Sequence, residues 1–172
     1  KYIYDLTKKG VILAGCTKNE YKNAISGLRN KFNILKEEDF SIIKANWKNK
    51  AENILAISKQ LNISLDSIVF VDDSNFEREL VRNQFPMVEV PNIGDEPEKY
   101  IFHIDRAKYF ENVSLSKEDF SRSSYYKTNV KRESEKVKFK NYNNYLDSLK
   151  MKTIFKKFKK EDINRIAQLV NK

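Results

Sequence analysis

The strongest chemical signal in the chain is an acidic cluster that directly follows an apolar run. Residues 68–71 (IVFV) are apolar, and residues 72–77 (DDSNFE) come next. Two adjacent carboxylates at the end of a buried strand are costly unless a cation lies between them. Glu77 lies one helical turn beyond Asp73 and can turn back toward the same point. A hard cation such as Mg²⁺ suits oxygen ligands of this kind, so Asp72, Asp73 and Glu77 are candidate metal ligands. Capping of the next helix by Asp72, Asp73 or Ser74, with Glu77 near the positive helix end, is the structural alternative.

A second signal, typical of phosphate binding, follows an earlier apolar run. The run is residues 11–14, and Cys16-Thr17-Lys18-Asn19 lie just beyond it. A hydroxyl at Thr17 can donate a hydrogen bond to a phosphoryl oxygen, and the N–H groups of a following helix favour an anion. Lys18 and Asn19 are candidate phosphate-binding residues at the same place. Plain capping by Thr17 or Asn19 is the alternative, and Cys16 alone is typical of a small buried hydrophobe.

The third signal is a pair of lysines, Lys48 and Lys50, that stand just before a predicted helix. An ammonium group there can neutralise a phosphate held by a metal. The alternative is that both lysines are solvated residues at the start of a helix. Spacing alone does not decide between Lys48 and Lys50.

The elements that must position these residues alternate between strand and helix from residue 10 to residue 90. Predicted strands are 11–14, 32–35, 68–71 and 87–90; predicted helices are 2–9, 19–30, 50–61 and 75–84, while 40–47 is apolar but irregular. Such alternation indicates right-handed βαβ units on a parallel sheet. Functional groups then lie on the loops that leave the carboxyl ends of the strands.

Beyond residue 95 the pattern is helical and strongly basic. Ser116 and Asp119 offer a capping box for a helix to about 139, followed by a short helix near 142–149, a strand at 151–155 and a helix at 161–170. Residues 1–116 carry 17 basic and 17 acidic side chains, whereas residues 117–172 carry 16 and 7, so the net charge of +9 lies in the last third. A solvated surface or the docking of an acidic partner, nucleic acid or protein, explains this excess.

Composition excludes several classes of protein. The single cysteine, Cys16, excludes an intrachain disulfide framework and a cysteine-based zinc site. No apolar run approaches the roughly 20 residues that cross a bilayer, and the first residues do not form a signal peptide. We therefore expect a cytoplasmic protein with no membrane partner.

The order of the three signals resembles motifs two, three and four of haloacid-dehalogenase-type (HAD) phosphohydrolases. More narrowly, the chain resembles the FkbH-like family. That resemblance is carried by residues 10–20 (GVILAGCTKNE), 39–54 (DFSIIKANWKNKAENI), 61–79 (LNISLDSIVFVDDSNFERE), 114–119 (SLSKED) and 165–169 (RIAQL). It covers essentially the whole chain.

The resemblance implies an α/β fold, a HAD-like (Rossmannoid) parallel sheet with flanking helices that is incomplete at the N-terminus. It implies three parts: the HAD-like domain at 1–112, a helical connecting segment at 113–149, and the start of a truncated acetyltransferase-like α/β domain at 150–172. Family members dephosphorylate 1,3-bisphosphoglycerate, a phosphorylated three-carbon substrate, and transfer its glyceryl group to an acyl carrier protein. Their cofactor is Mg²⁺.

The resemblance also assigns roles to individual residues. Asp73 becomes a Mg²⁺ ligand with Asp72 and Glu77 in the same cluster, Thr17 orients the phosphoryl group, and Lys48 neutralises it. Cys16 becomes a candidate carrier of the glyceryl group, because acyl transfer through an enzyme thioester divides a difficult step into two. A thiol beside a lysine and a helix start is expected to have a lowered pKa.

One departure from the family is large. The first motif, an Asp-x-Asp-x-Thr after the first strand, is absent from the sequence. We therefore expect this chain alone to be inactive and its full-length parent to be an enzyme. The alternative function is a catalytically inactive HAD-like scaffold that holds nucleic acid or an acidic protein through the basic C-terminal third. The Asp72-Asp73 pair favours the enzyme over this alternative, because a binding scaffold has no need for adjacent carboxylates at a strand end. Nucleic acid is not expected as a partner.

Overall fold

The computed structural model describes residues 1–111, 117–136, 138–139 and 141–170. Its main elements are, in chain order, α1 (Tyr2–Lys8), β1 (Leu13–Thr17), α2 (Tyr21–Leu28), β2 (Phe40–Ala45), α3 (Lys50–Leu61), α4 (Asn75–Gln84), α5 (Tyr100–Arg106), α6 (Lys117–Lys136), α7 (Tyr142–Ser148) and α8 (Ile163–Val170). Short 3₁₀ turns lie at Glu37–Asp39, Leu65–Ser67, Pro97–Lys99 and Lys160–Asp162.

Strands β1 and β2 form a parallel two-stranded sheet, with Gly15 opposite Ile43 and Thr17 opposite Ala45. A second parallel pairing consists of an isolated bridge between Val69 and Glu89. The Phe70 amide donates to the Glu89 carbonyl at 2.8 Å, and the Glu89 amide donates to the Ile68 carbonyl at 3.0 Å. The α/β class with parallel pairing therefore agrees with the sequence pattern.

Several predicted strands differ from the structure. Residues 32–35 form turns, and Phe32 and Ile34 are exposed, because apolar residue types alone do not provide a pairing partner. The irregular apolar stretch at 40–47 contains β2 instead. The predicted strands 68–71 and 87–90 are reduced to the isolated bridge, and the described residues 151–159 belong to no strand or helix. The predicted cap at Ser116 lies outside the described residues.

Helix α3 lies at the centre of the packing because its two faces reach two apolar clusters. Ala51 and Ile54 pack with Val81 of α4 and with Phe70, Val88 and Val90. Ile57 and Leu61 pack with Ile42 of β2, next to Ile12, Ala14, Cys16, Ile63, Tyr126 and Val130. Burying one such large apolar side chain contributes about 1.5–3 kcal/mol. This packing fixes the start of α3 relative to the ends of β1 and β2.

Capping residues fix where the two site helices begin. The Asn49 side chain accepts a hydrogen bond from the Glu52 amide at 2.7 Å, which starts α3 at Lys50. The Ser74 hydroxyl accepts from the Glu77 amide at 3.4 Å, and the Asp72 carboxylate accepts from the Ser74 amide at 3.0 Å. Asn and Ser are favoured at these positions because their side chains satisfy amides that have no partner within the helix.

Gly10 occupies a position that only glycine tolerates. Its φ is +86°, and a Cβ built there would lie 2.3 Å from the carbonyl oxygen of Asp119 in α6. Tyr126 and Val130 of the same helix pack against the cluster around Ile57. Helix α6 therefore lies directly against the turn between α1 and β1.

The chain divides into two compact units, Lys1–Ser134 and Glu135–Lys172. In the second unit, Tyr145 of α7 is buried and its ring lies 5.6 Å from that of Phe139. Met151, Ile154, Phe155 and Phe158 are exposed. The predicted division at 112/113 lies outside the described residues, and the predicted domains at 113–149 and 150–172 stay predictions. None of the described helices has both the length and the apolar composition needed to cross a membrane.

Candidate active site

The site lies where β1 ends and α3 and α4 begin. Cys16 and Thr17 are the last two residues of β1, Lys50 is the first residue of α3, and Glu77 lies in the first turn of α4. Lys50 Nζ lies 3.1 Å from Asp72 Oδ2 and donates to the carbonyl oxygen of Cys16 at 2.7 Å. Both side chains of the Lys50–Asp72 pair are only 10% exposed. Lys50 therefore bridges the two sequence signals that surround Cys16 and Asp72.

A second ion pair joins the loop after β1 to the first turn of α4. Lys18 Nζ pairs with Glu77 Oε1, and the Lys18 side chain is 38% exposed whereas that of Glu77 is 9% exposed. The other carboxylate oxygen, Glu77 Oε2, is buried and has no hydrogen-bond partner. A buried anionic oxygen without a partner is costly, so this atom is where a further cation would be stabilised.

Arg78 fixes the loop that carries Asp72 and Asp73, which is called the acidic loop below. This guanidinium is almost fully buried and donates through Nη1 to the carbonyl oxygens of Asp72 and Asp73, each at 2.9 Å. Its Nη2 donates to Asn75 Oδ1 at 3.3 Å. Arg78 thereby fixes the backbone of the acidic loop and adds positive charge beneath it. Asp73 itself is exposed.

Cys16 lies at the boundary between the site and the core. Its side chain packs beside the cluster of Ile42, Ile57 and Leu61, next to the side chain of Asn53. Asn53 is buried and exchanges two amide hydrogen bonds of 3.0 Å with Asn46, the residue after β2. This reciprocal pair connects the end of β2 to α3 next to Cys16.

Burial raises the pKa of the Cys16 thiol above its ordinary value, and the charges of Asp72 and Glu77 act in the same direction. The Lys50 charge and the neighbouring Asn53 amide lower that pKa but do not reverse the shift. The expectation of a lowered pKa is therefore wrong, because desolvation of the thiolate outweighs the nearby positive charge.

The remaining candidates lie around this centre. Thr17 is half-buried, and its carbonyl oxygen accepts from the Asn46 amide at 3.1 Å. Asn19 accepts from the Glu20 amide at 2.8 Å but does not cap α2, whose N-cap residue is Glu20 and which has no side-chain cap hydrogen bond. Lys48 is exposed, and its amide donates to Asn46 Oδ1 at 3.0 Å. Of the two candidate lysines, the structure brings Lys50 and not Lys48 into contact with the acidic loop.

The fit of this site to a metal ion is partial. Across the described ranges, no three His, Cys, Asp or Glu side chains converge into a group that could hold a metal. Mg²⁺ is commonly bound by one or two carboxylates together with water and phosphate oxygens, so a three-ligand cluster is not required. Asp72 and the unpartnered oxygen of Glu77 meet that smaller requirement. Asp73 is exposed on the same loop.

Sequence reasoning missed Arg78, Asn46 and Asn53 as parts of the site. Arg78 offered a signal, because a cation near the positive N-terminus of a helix is unfavourable unless it has a specific partner. The two asparagines offered none, since their pairing depends on how β2 and α3 meet.

Comparisons with known proteins give one informative match. No family model matches the chain, and no curated protein matches it. It is similar to the crystal structure of the N-terminal part of the protein BF1531 from Bacteroides fragilis, which contains a phosphatase domain complexed with Mg. The sequence identity is 39% and the TM-score 0.64, over 66% of this chain and 31% of that chain. About two thirds of this chain is therefore similar in fold to part of a structure that contains a phosphatase domain, and the match spans about a third of that structure's length.

Proposed function

We propose that this chain supplies the phosphate- and Mg²⁺-binding end of the active site of a HAD-type phosphatase or acyltransferase. The observation that carries the proposal is the convergence of two carboxylates, each at most 10% exposed, and two ammonium groups. Lys50 pairs with Asp72, and Lys18 pairs with Glu77. The similarity to a phosphatase domain that was crystallised with Mg supports the same chemistry.

In this proposal Asp72, Asp73 and Glu77 hold Mg²⁺, with water and phosphate oxygens as further ligands. Bound Mg²⁺ would neutralise the negative charge that develops on the phosphoryl group. Lys50 neutralises a phosphate oxygen and Thr17 orients it with its hydroxyl. We favour Lys50 over Lys48 because its ammonium group already contacts the acidic loop.

The Asp-x-Asp-x-Thr motif of HAD enzymes is absent from these 172 residues. We infer that the aspartate nucleophile and a further Mg²⁺ ligand come from polypeptide outside them. The chain alone is then expected to release no phosphate.

The finer proposal, from the FkbH-like resemblance, is transfer of a glyceryl group from 1,3-bisphosphoglycerate to an acyl carrier protein. The Cys16 sulfur would form a thioester with the acyl carbon while the carbon–oxygen bond to phosphate breaks, and the released phosphate takes the thiol proton. A carrier thiol would then displace Cys16. The raised pKa of Cys16 agrees with a thiol that stays protonated until its acyl phosphate is bound.

An activity assay tests the core of the proposal. The product of the whole gene is expected to release phosphate from an acyl phosphate with Mg²⁺ and to stop when EDTA is added. Asp72→Asn in that product should reduce the rate at least about 100-fold, whereas Asp66→Asn on an exposed turn should leave it unchanged. Absence of Mg²⁺-dependent release from the whole product would overturn the proposal. Phosphate release by the 172-residue chain would overturn the inference that the nucleophile lies outside these residues.

Transfer is distinguished from hydrolysis by mass spectrometry of an added acyl carrier protein. A glyceryl adduct on the carrier that is lost with Cys16→Ala supports the finer proposal, and phosphate release without any adduct supports a plain phosphatase. The binding-scaffold alternative predicts a third pattern. Nucleic acid or an acidic protein would bind the basic C-terminal third with an affinity that falls steeply with salt and does not change when EDTA is added.

A further inference from the structure

The two lysines of the site are held in different ways. Lys50 is 10% exposed and is fixed by two groups, the Cys16 carbonyl oxygen and the Asp72 carboxylate. Lys18 is 38% exposed, and its ion pair with Glu77 connects residues that are 59 positions apart in the chain. The Lys18 ammonium group therefore contacts a buried carboxylate while its side chain stays in reach of solvent. A lysine head on a flexible four-carbon stem can move to a new partner at low cost.

Lys18 cannot leave Glu77 without a replacement. The Glu77 side chain is 9% exposed, and its second oxygen already has no hydrogen-bond partner. Removing the cation from such a carboxylate is unfavourable, because a buried negative charge is left without compensation. A cation that binds the Glu77 carboxylate removes this cost and releases the ammonium group. Departure of Lys18 is thus linked to arrival of a cation.

We propose that Lys18 is an exchangeable counter-ion that neutralises Glu77 in the metal-free site and turns to a phosphate oxygen once a divalent cation binds Glu77. The inference rests on the proposed function, since it takes Mg²⁺ and phosphate as the ligands of this site. It makes the two ligands cooperative: Mg²⁺ raises the affinity for phosphate, and phosphate raises the affinity for Mg²⁺ by the same factor. Lys18 thereby becomes a substrate-binding residue, distinct from the fixed Lys50.

Calorimetric titration of the 172-residue chain with inorganic phosphate, in EDTA and at constant ionic strength, tests the exchange without activity. Glu77→Gln imitates neutralisation of the carboxylate, so Lys18 is released and phosphate affinity is expected to rise about tenfold. Lys18→Met/Glu77→Gln should lose that gain. Lys22→Met, an exposed lysine on α2, is the matched control and should change the affinity less than about twofold in the Glu77→Gln background.

The comparison between Glu77→Gln and the double variant decides the matter even if Lys18→Met alone fails to fold. Equal phosphate affinity in these two proteins would overturn the inference, because the rise in affinity would then come from the lost negative charge of Glu77 alone and not from Lys18. Phosphate binding too weak to detect in Glu77→Gln would overturn it as well. These titrations contain no Mg²⁺ and no turnover, so failure of the proposed enzyme activity is recognised separately in the phosphate-release assay.

Discussion

Replacing Lys50 by methionine removes the cation from the most buried ion pair of the site. Both side chains of the Lys50–Asp72 pair are 10% exposed, and methionine keeps much of the apolar stem. The Asp72 carboxylate is left without its partner, which costs about 3–5 kcal/mol for a buried pair. The Cys16 carbonyl oxygen also loses its donor at 2.7 Å. We expect Lys50→Met to lower the free energy of unfolding by about 3–5 kcal/mol.

Urea denaturation followed by circular dichroism, in buffer with EDTA, measures this loss. Arg29→Met is the matched control, because its pair with Glu37 at 3.1 Å is much more exposed, at 72% and 34%. An exposed pair contributes at most about 1 kcal/mol. Lys50→Met/Asp72→Asn should recover at least about 2 kcal/mol relative to Lys50→Met, since no unpaired charge stays buried.

If Lys50→Met and Arg29→Met lowered the free energy of unfolding by the same amount, the reasoning would be refuted. That result would mean that water reaches the Asp72 carboxylate in solution and that the pair does not organise the site. Failure of the double variant to recover stability would also contradict the reasoning, because the loss would then come from side-chain packing and not from an unpaired charge.

Three further predictions follow from the site and the packing. The pH at which Cys16 reacts half-maximally with iodoacetamide should lie above the pKa of a free cysteine, about 8.5, because burial raises its pKa. As the pH rises through the pKa of the free thiol, Cys16 ionises in the unfolded chain before it ionises in the folded one, so the free energy of unfolding should fall. Gly10→Ala should cost about 2 kcal/mol or more in thermal denaturation because of its positive φ and the Asp119 carbonyl oxygen 2.3 Å from the new Cβ, whereas Gly27→Ala, with open space around it, should be neutral or stabilising. Ile54→Ala, in the cluster between α3 and α4, should cost about 2–5 kcal/mol by urea denaturation. Unchanged stability in Ile54→Ala would contradict the packing described for α3.

The elements predicted well from the sequence are those with strong local signals. Helix 50–61 has apolar residues at helical spacing and an asparagine cap, and the structure places α3 at Lys50–Leu61. Helix 75–84 follows Ser74, and α4 runs from Asn75 to Gln84. Both helices begin where a side chain satisfies the first amides, so local sequence is enough to fix them.

The strands were harder because their pairing is not local. Strand β2 contains Ser41 and Lys44, which conceal its apolar pattern, yet Ser41 is buried and Lys44 reaches Gln60 at 2.8 Å. The apolar stretch 32–35 was predicted to be a strand and is not, since no neighbour pairs with it. Strand propensity depends on cross-strand packing that a sequence does not display.

The candidate site shows the same division. Spacing along the chain identified the loops around Cys16 and Asp72, and these loops meet. It did not decide whether Lys48 or Lys50 is the phosphate-neutralising lysine, because the direction in which each side chain extends depends on how α3 packs. Nor did it predict that burial would outweigh positive charge at Cys16, since burial is a property of the folded core.

The most direct test of the central claim is titration of the ¹⁵N-labelled chain with Mn²⁺, a paramagnetic substitute for Mg²⁺. The account predicts that amide signals broaden first at residues 16–18 and 72–77, around the pairs Lys50–Asp72 and Lys18–Glu77. Excess Mg²⁺ should restore those signals, and Asp72→Asn/Glu77→Gln should prevent the broadening. Broadening centred elsewhere, or unchanged in that double variant, would contradict a metal site at this end of the sheet.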